Sequence, residues 1–459
     1  MSTRRASLAP VQLPAFGSAD RLPEIPPEVY SGRIARLRAL MEERGLDFLV
    51  VYGDREHSAN LSYLTGFDPR FEEALLVLAR DGVPTVLVGN ECLGMARVAP
   101  VTMEVRLHQD LSLPGQPRSS SLPIGDELRQ AGITPGDRVG AIGWKPFTNP
   151  AWLDIPSFLA DALRETVGSG GSVVNAVDLL IDPASGLRVI NEIEQIAYFE
   201  HASCVTSSGV RRLLGELQPG MTEQEAVALL GWNGSPLSCH LMLTAGDRAR
   251  LGLLSPGDRP IGTGDPLTVA FGIWGALNCR AGFVVETEGQ LPGDAAYYLD
   301  RLVRPYFETI VEWYEALHVG QRGGVLQEIV DRRLGDPFFG IFLNPGHQIH
   351  LDEWVNSPIF PGSTVELASG MAMQVDVIPA TGTAYFTTNI EDGIVLADQG
   401  LRNDITTRYP AMWERITARR DFMRDPLGID LHDDVLPLSN IPAFLPPLLL
   451  DRERAMMMV

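Results

Sequence analysis

Four apolar runs in the second half of the chain, residues 267–273, 278–288, 371–379 and 387–396, most constrain its fold. Each has the length of a strand, and strand side chains alternate between two faces. Gln374 and Asp376 therefore share one face of the third run, and Asn389 and Glu391 share one face of the fourth. Runs three and four are expected to be neighbours, which would set the two carboxylates against each other. Facing carboxylates in a partly dry pocket repel, so one pKa rises and the pair can hold a proton between them. One member can then act as a general base toward water, and the other as an acid or a clamp for a cationic substrate. Ahead of them lies Pro345-Gly346-His347-Gln348-Ile349-His350-Leu351-Asp352-Glu353-Trp354, a turn with two histidines.

The rest of the chain divides around these runs. At 459 residues it is longer than one core usually grows, so two domains are expected. Residues 1–26 read as a Pro-rich arm. Residues 27–185 alternate helix and strand signals: an amphipathic pattern at 31–45, strands at 47–52 and on both sides of Asp81-Gly82, a helix near Trp152 to Arg164, and strands at 137–143 and 172–177. Residues 186–405 open with a long helical stretch from Asn191 to Leu217, followed by a second helix with Thr222 and Glu225 at capping-box spacing. A further helix is expected from about Ala295 to Leu317. Residues 406–459 combine a helix with an apolar, Pro-rich tail that should pack on the body or on a partner subunit. The order of elements fits an α/β domain followed by an α+β domain.

A net charge of -21 disfavours binding to nucleic-acid phosphates. No run approaches the length of a membrane span. The four cysteines form no Cys-x-x-Cys pair, which points to a reducing cytoplasm. Lys145 is the only lysine, so Schiff-base chemistry would rest on one residue. Phosphate-binding loop, nucleophile elbow and dinucleotide fingerprint are all absent.

Two stretches carry a resemblance. Asn60-Leu61-Ser62-Tyr63-Leu64-Thr65-Gly66-Phe67 is similar to a segment of the N-terminal domains of creatinase, prolidase and aminopeptidase P. The later His347, Asp376 and Glu391 resemble the second half of the site in the same pita-bread family, which also includes methionine aminopeptidase. The resemblance spans about residues 30–400 and implies a creatinase-like N-terminal domain, a pita-bread C-terminal domain and a homodimer. In metal-dependent members an early strand supplies two aspartates eleven residues apart. The matching positions here are Ala270 and Ala281, with Gly272 retained. Alanine offers no donor to a divalent ion, so a dinuclear centre is not expected.

The resemblance also implies which residues matter. Creatinase lacks the two aspartates as well, and works with a histidine on the loop before the early strand. The corresponding stretch here, residues 246–260, has none, and His240 is the nearest upstream candidate. The expected catalytic residues are His347, Asp376 and Glu391. Asp376 is a methylene shorter than the family's glutamate. Expected substrate contacts are His350, Trp354, Trp274, Cys279 and Arg70. Trp354 stands where the peptidases have a histidine, and can wall a pocket but not move the proton. Cys279 is expected as a lining residue rather than a nucleophile, with Arg280 pointing away from its face. Arg70 would clamp a substrate carboxylate across the dimer. The leading expectation is a metal-independent hydrolase cleaving a C–N bond of a small guanidino, amidine or amide compound, without cofactor. The alternatives are a non-catalytic ligand-binding descendant, and an enzyme holding one divalent metal at His347, Asp376 and Glu391 with Xaa-Pro peptidase-like or lyase chemistry.

Overall fold

The computed structural model describes residues 4–459. They form two compact units, Ile25–Arg188 and a larger one that joins Val189–Val459 to the stretch before Ile25.

The unit Ile25–Arg188 is an α/β domain on a six-stranded mixed sheet. Its strands run in the order Glu104–Leu107, Thr85–Val88, Ala74–Ala79, Phe48–Gly53, Arg138–Ile142, Ser172–Asn175. The pairs on either side of Ala74–Ala79 are antiparallel, and the other three are parallel. Val50, Val77, Leu87 and Val139 pack with Leu159 and Leu163 of the helix Ser157–Val167. That helix begins later than the expected Trp152. Pro156 stands directly before it, and a proline pushes its predecessor out of the helical region. The Tyr-Leu-Thr-Gly-Phe stretch forms the helix Ala59–Thr65, closed by Gly66 at φ 69°, a left-handed cap that only glycine adopts without strain.

The larger unit is α+β. Its antiparallel sheet runs His347–Gln348, Ala372–Asp376, Asn389–Leu396, Ala276–Phe283, Pro266–Ile273, Met242–Ala245, and Val435–Pro437 pairs with the end of Asn389–Leu396. Alternation then divides the work between faces. Val269 and Phe271 pack against Val210 and Leu213 of the helix Ile193–Glu216. Met373, Val375, Ile390 and Ile394 pack against Tyr306, Phe307, Ile310 and Trp313 of the helix Arg304–Ala316. Burying each such side chain stabilises the fold by roughly 1.5–3 kcal/mol, so the register of the central strands is strongly specified. The residues between them, including Ala270, Asp376 and Glu391, face the other way.

Both ends of the chain pack on the larger unit. The supposed arm contains a strand, Ala6–Pro10, paired antiparallel with Arg454–Met458. The apolar tail is built into the core of its own chain: Ala443, Leu445 and Leu448 are buried, and Phe283 and Leu449 exchange backbone hydrogen bonds with Pro447 and Phe283. The helix expected after residue 406 is Pro410–Arg424, and a further helix, Gln399–Arg408, precedes it. The Thr222–Glu225 capping box is present as read. Among the described residues no helix is long and apolar enough to cross a membrane.

Candidate active site

Strand register assembles the site. Asp376 pairs with Glu391, Glu391 with Cys279, and Cys279 with Ala270. Directly opposed residues project to the same face, so these four form one row across four strands. His347 pairs with Gln374, two residues from Asp376, and so joins that face. Ala281 pairs with Asn389, which puts it on the same face as Ala270.

His347 is held by the turn before it. Gly346 has φ 131°, and a side chain there would meet Ile359, the Gln374 carbonyl and the Trp313 ring at about 3 Å. The Trp313 indole N–H donates to the Pro345 carbonyl at 2.9 Å, and the Ser357 hydroxyl to the Gly346 carbonyl at 2.7 Å. The imidazole Nδ1 lies 3.2 Å from the Gln348 carbonyl. A carbonyl only accepts, so this contact puts the proton on Nδ1 and turns Nε2 to the carboxylates. Nε2 is 3.5 Å from Glu391 Oε1 and 3.9 Å from Asp376 Oδ2. The Trp354 ring stacks on the imidazole, with centroids 4.2 Å apart and planes 14° apart.

The electrostatics follow from burial. Glu391 is pushed up to about 8, first by burial and then by the charges of Glu353 and Asp392. A hydrogen bond from the Cys279 thiol and the charge of Arg280 oppose this. Asp376 is raised well above the ordinary aspartate range by burial and by Glu391 beside it. The thiol of Cys279 is also pushed well up by burial, then by Glu391, which keeps it protonated and poorly nucleophilic. Arg280 does point away from this face: its guanidinium pairs with Asp392 at 2.8 Å, both residues 1% exposed, and also donates to the carbonyls of Ile441 and Phe444.

Of the remaining expected contacts, Trp354 is part of the centre and Cys279 lines it. His350 is buried, edge-on to the Phe199 ring with centroids 5.2 Å apart. Trp274 occupies the turn between Pro266–Ile273 and Ala276–Phe283, partly exposed. Arg70 belongs to the other unit, where it is exposed, at φ 60°, and 3.4 Å from Asp68.

Two residues escaped the sequence reading. Glu353 is half-buried and offers a carboxylate oxygen within 4.8 Å of ligand atoms from both His347 and Glu391. Burial raises its pKa, partly offset by His347. Its place six residues after His347 was the available signal, but a loop has no periodicity to say where it points. Cys239 approaches from the loop before Met242–Ala245, its Sγ 2.9 Å from where a side chain on Gly272 would begin, and its thiol is pushed up to about 12 by burial, then by Glu353 and Glu391.

Metal capacity is correspondingly reduced. A dinuclear centre of the kind the resemblance implies does not fit, because Ala270 and Ala281 contribute no donor. One ion fits the donors of His347, Glu353 and Glu391.

Comparison with known proteins agrees with the architecture. Residues 33–174 match the family model of the creatinase/prolidase N-terminal domain. No curated protein matches the chain in sequence. Among solved structures, the chain is similar to an Xaa-Pro dipeptidase from Bacillus anthracis at 17% identity and a TM-score of 0.61, covering 81% of this chain and 96% of that one. A prolidase from Pyrococcus horikoshii OT3 matches at 16% identity and 0.61, covering 80% and 95%. A recombinant prolidase from Thermococcus sibiricus matches at 18% and 0.62, covering 83% and 96%. At these identities the structural likeness speaks for the fold, and the family model speaks for the N-terminal domain. Residues 33–174 thus match the creatinase/prolidase N-terminal domain, and the whole chain shares the two-domain fold of these prolidase and dipeptidase structures.

Proposed function

We propose that the chain is a peptidase-like hydrolase whose centre has given up two-metal chemistry for acid–base cleavage of a C–N bond in a small guanidino, amidine or amide compound. The likeness to prolidases and Xaa-Pro dipeptidases supports hydrolysis as the reaction class. One observation carries the rest: the carboxylates of Asp376 and Glu391 converge on His347 Nε2, and their only ion pairs among the described residues are with it. In this reading the ionised member of the carboxylate pair takes a proton from water as the water oxygen adds to the substrate carbon. Protonated His347 delivers a proton to the departing nitrogen. The other carboxyl keeps its proton, since two buried like charges cannot both be held cheaply.

A second reading has its own support. The His347, Glu353 and Glu391 donors are close enough to share one divalent ion, which would polarise a substrate carbonyl as a Lewis acid. We further take the protein to act as a homodimer in the cytoplasm, in line with the resemblance and with four free cysteines.

The test is turnover of guanidino compounds, N-acyl diamines and Xaa-Pro dipeptides by chelator-treated protein. The metal-free reading expects turnover that survives chelation and falls by about 100-fold or more in His347→Ala and Glu391→Gln. Activity that disappears on chelation and returns with Mn, Fe, Co or Zn would establish the second reading instead. Stabilisation by one of these compounds without any turnover would leave a ligand-binding protein.

A further inference from the structure

We propose that the loop 143–156 of the unit Ile25–Arg188 is a stacking site for a small aromatic carboxylate, with Lys145 as the counter-charge. The site rests on nothing in the hydrolase reading above.

The loop presents apolar rings to water. Trp144 is 47% exposed and Trp152 60%, and the half-buried Phe147 meets Trp152 edge-on with centroids 6.1 Å apart. Single exposed apolar residues are ordinary, but a cluster of large rings on one loop marks a surface kept for a partner. The loop is also held in shape. The Asp154 carboxylate accepts the backbone N–H groups of Trp144 and Lys145 at 2.6 and 2.8 Å, and a side chain on Gly143 would collide with it. The Asn175 amide donates to the carbonyls of Lys145 and Trp152 at 3.1 and 3.3 Å, and the Asn175 backbone N–H to that of Pro150 at 2.7 Å. Rings fixed before a ligand arrives lose little freedom on binding it.

Topology puts this loop where open α/β sheets receive small ligands. Phe48–Gly53 and Arg138–Ile142 are parallel neighbours. The chain leaves the first strand for Ala74–Ala79 on one side of the pair, and leaves the second for Ser172–Asn175 on the other. Such divergence opens a crevice at the carboxyl ends of the two strands. Both exit loops build the platform there: His57, from the loop after the first strand, stacks on Trp144 with centroids 4.4 Å apart and planes 21° apart.

Charge selects the ligand. Lys145 is the only lysine in the chain and is exposed. Its ammonium lies 4.9 Å from the centre of the Trp144 ring and 5.5 Å from that of Phe147. It makes no ion pair among the described residues, although acidic residues outnumber basic ones by 58 to 37. The acids beside it are engaged elsewhere: Asp154 as above, and Asp54 with the N–H groups of Glu56 and His57 at 2.9 and 2.8 Å. The platform therefore offers flat apolar rings and one uncommitted positive charge. A nucleic-acid strand would also stack on such rings, but it needs a track of cations that one ammonium in a chain of net charge -21 does not supply. A phosphate dianion likewise calls for more than one cation, whereas a carboxylate matches one.

The experiment titrates the full-length protein calorimetrically with indole-3-acetate, with its neutral analogue indole-3-acetamide, and with acetate, which has the charge without the ring. Wild type should bind indole-3-acetate at least about tenfold more tightly than either other probe. Lys145→Gln should abolish the preference for the acid over the amide, and Lys145→Arg should retain it. Trp152→Ala should weaken both indole probes by at least about tenfold, and the melting temperature of each variant checks that it is folded. No binding of indole-3-acetate by wild type, or a preference for the acid that survives Lys145→Gln, would overturn the proposal. So would undiminished binding in Trp152→Ala. Tighter binding of a single-stranded oligonucleotide than of any probe, lost in Lys145→Gln, would overturn it in favour of nucleic acid.

Discussion

At the scale of the residue, Glu391 is a buried carboxylate whose neighbours Glu353 and Asp392 are themselves acids. Its pKa rises from 4.5 to about 8 on folding, so between those values the folded protein holds a proton that the unfolded chain releases. The stability this confers is complete below about pH 4.5 and is lost as pH rises through about 8. Melting temperature should therefore decline across that window, and Glu391→Gln, which cannot titrate, should flatten the decline. A melting series that rises over the same range in wild type would contradict the burial of this carboxylate. Period-two alternation was enough to read Asp376 and Glu391 as facing partners and Arg280 as turned away. Glu353 and Cys239 could not be read, because a loop's path depends on what it packs against.

At the scale of the element, the Pro-Gly-His turn and the Ala276–Phe283 strand position the site. Gly346→Ala puts a side chain into contact with Trp313 and the Gln374 carbonyl at a positive φ, and should cost at least about 1–3 kcal/mol while displacing His347. Urea unfolding measures the first effect, and loss of turnover the second. Arg280→Ala leaves Asp392 charged and buried, and should destabilise by about 3–5 kcal/mol in the same unfolding assay. The double change Arg280→Met with Asp392→Leu should cost less than either half alone, because no unpaired charge remains. The strands and the long helix were legible because their apolar spacing is dense. The start of Ser157–Val167 was not, since Pro156 outweighs the pattern that precedes it.

At the scale of the whole molecule, the larger unit is closed by its own termini. Ala6–Pro10 depends on Arg454–Met458 for its backbone pairing, and among the described residues neither stretch has another strand partner. Removing residues 454–459 should therefore release the N-terminal strand, seen as faster amide exchange and new protease cleavage before residue 11. Unchanged protection there would show that the pairing contributes little. Composition alone marked the tail as something that must be covered, but could not say whether the cover was this chain or another. The sequence by itself determined two domains, the helices and strands, the family resemblance through Tyr63 to Phe67 and His347 to Glu391, and the loss of donors at Ala270 and Ala281. These are local properties, written in spacing and residue type. Only the tertiary structure decided that Glu353 and Cys239 join the centre and that the tail belongs to the core. Each of those depends on which distant segments pack together, and packing is a property of the whole set of contacts at once.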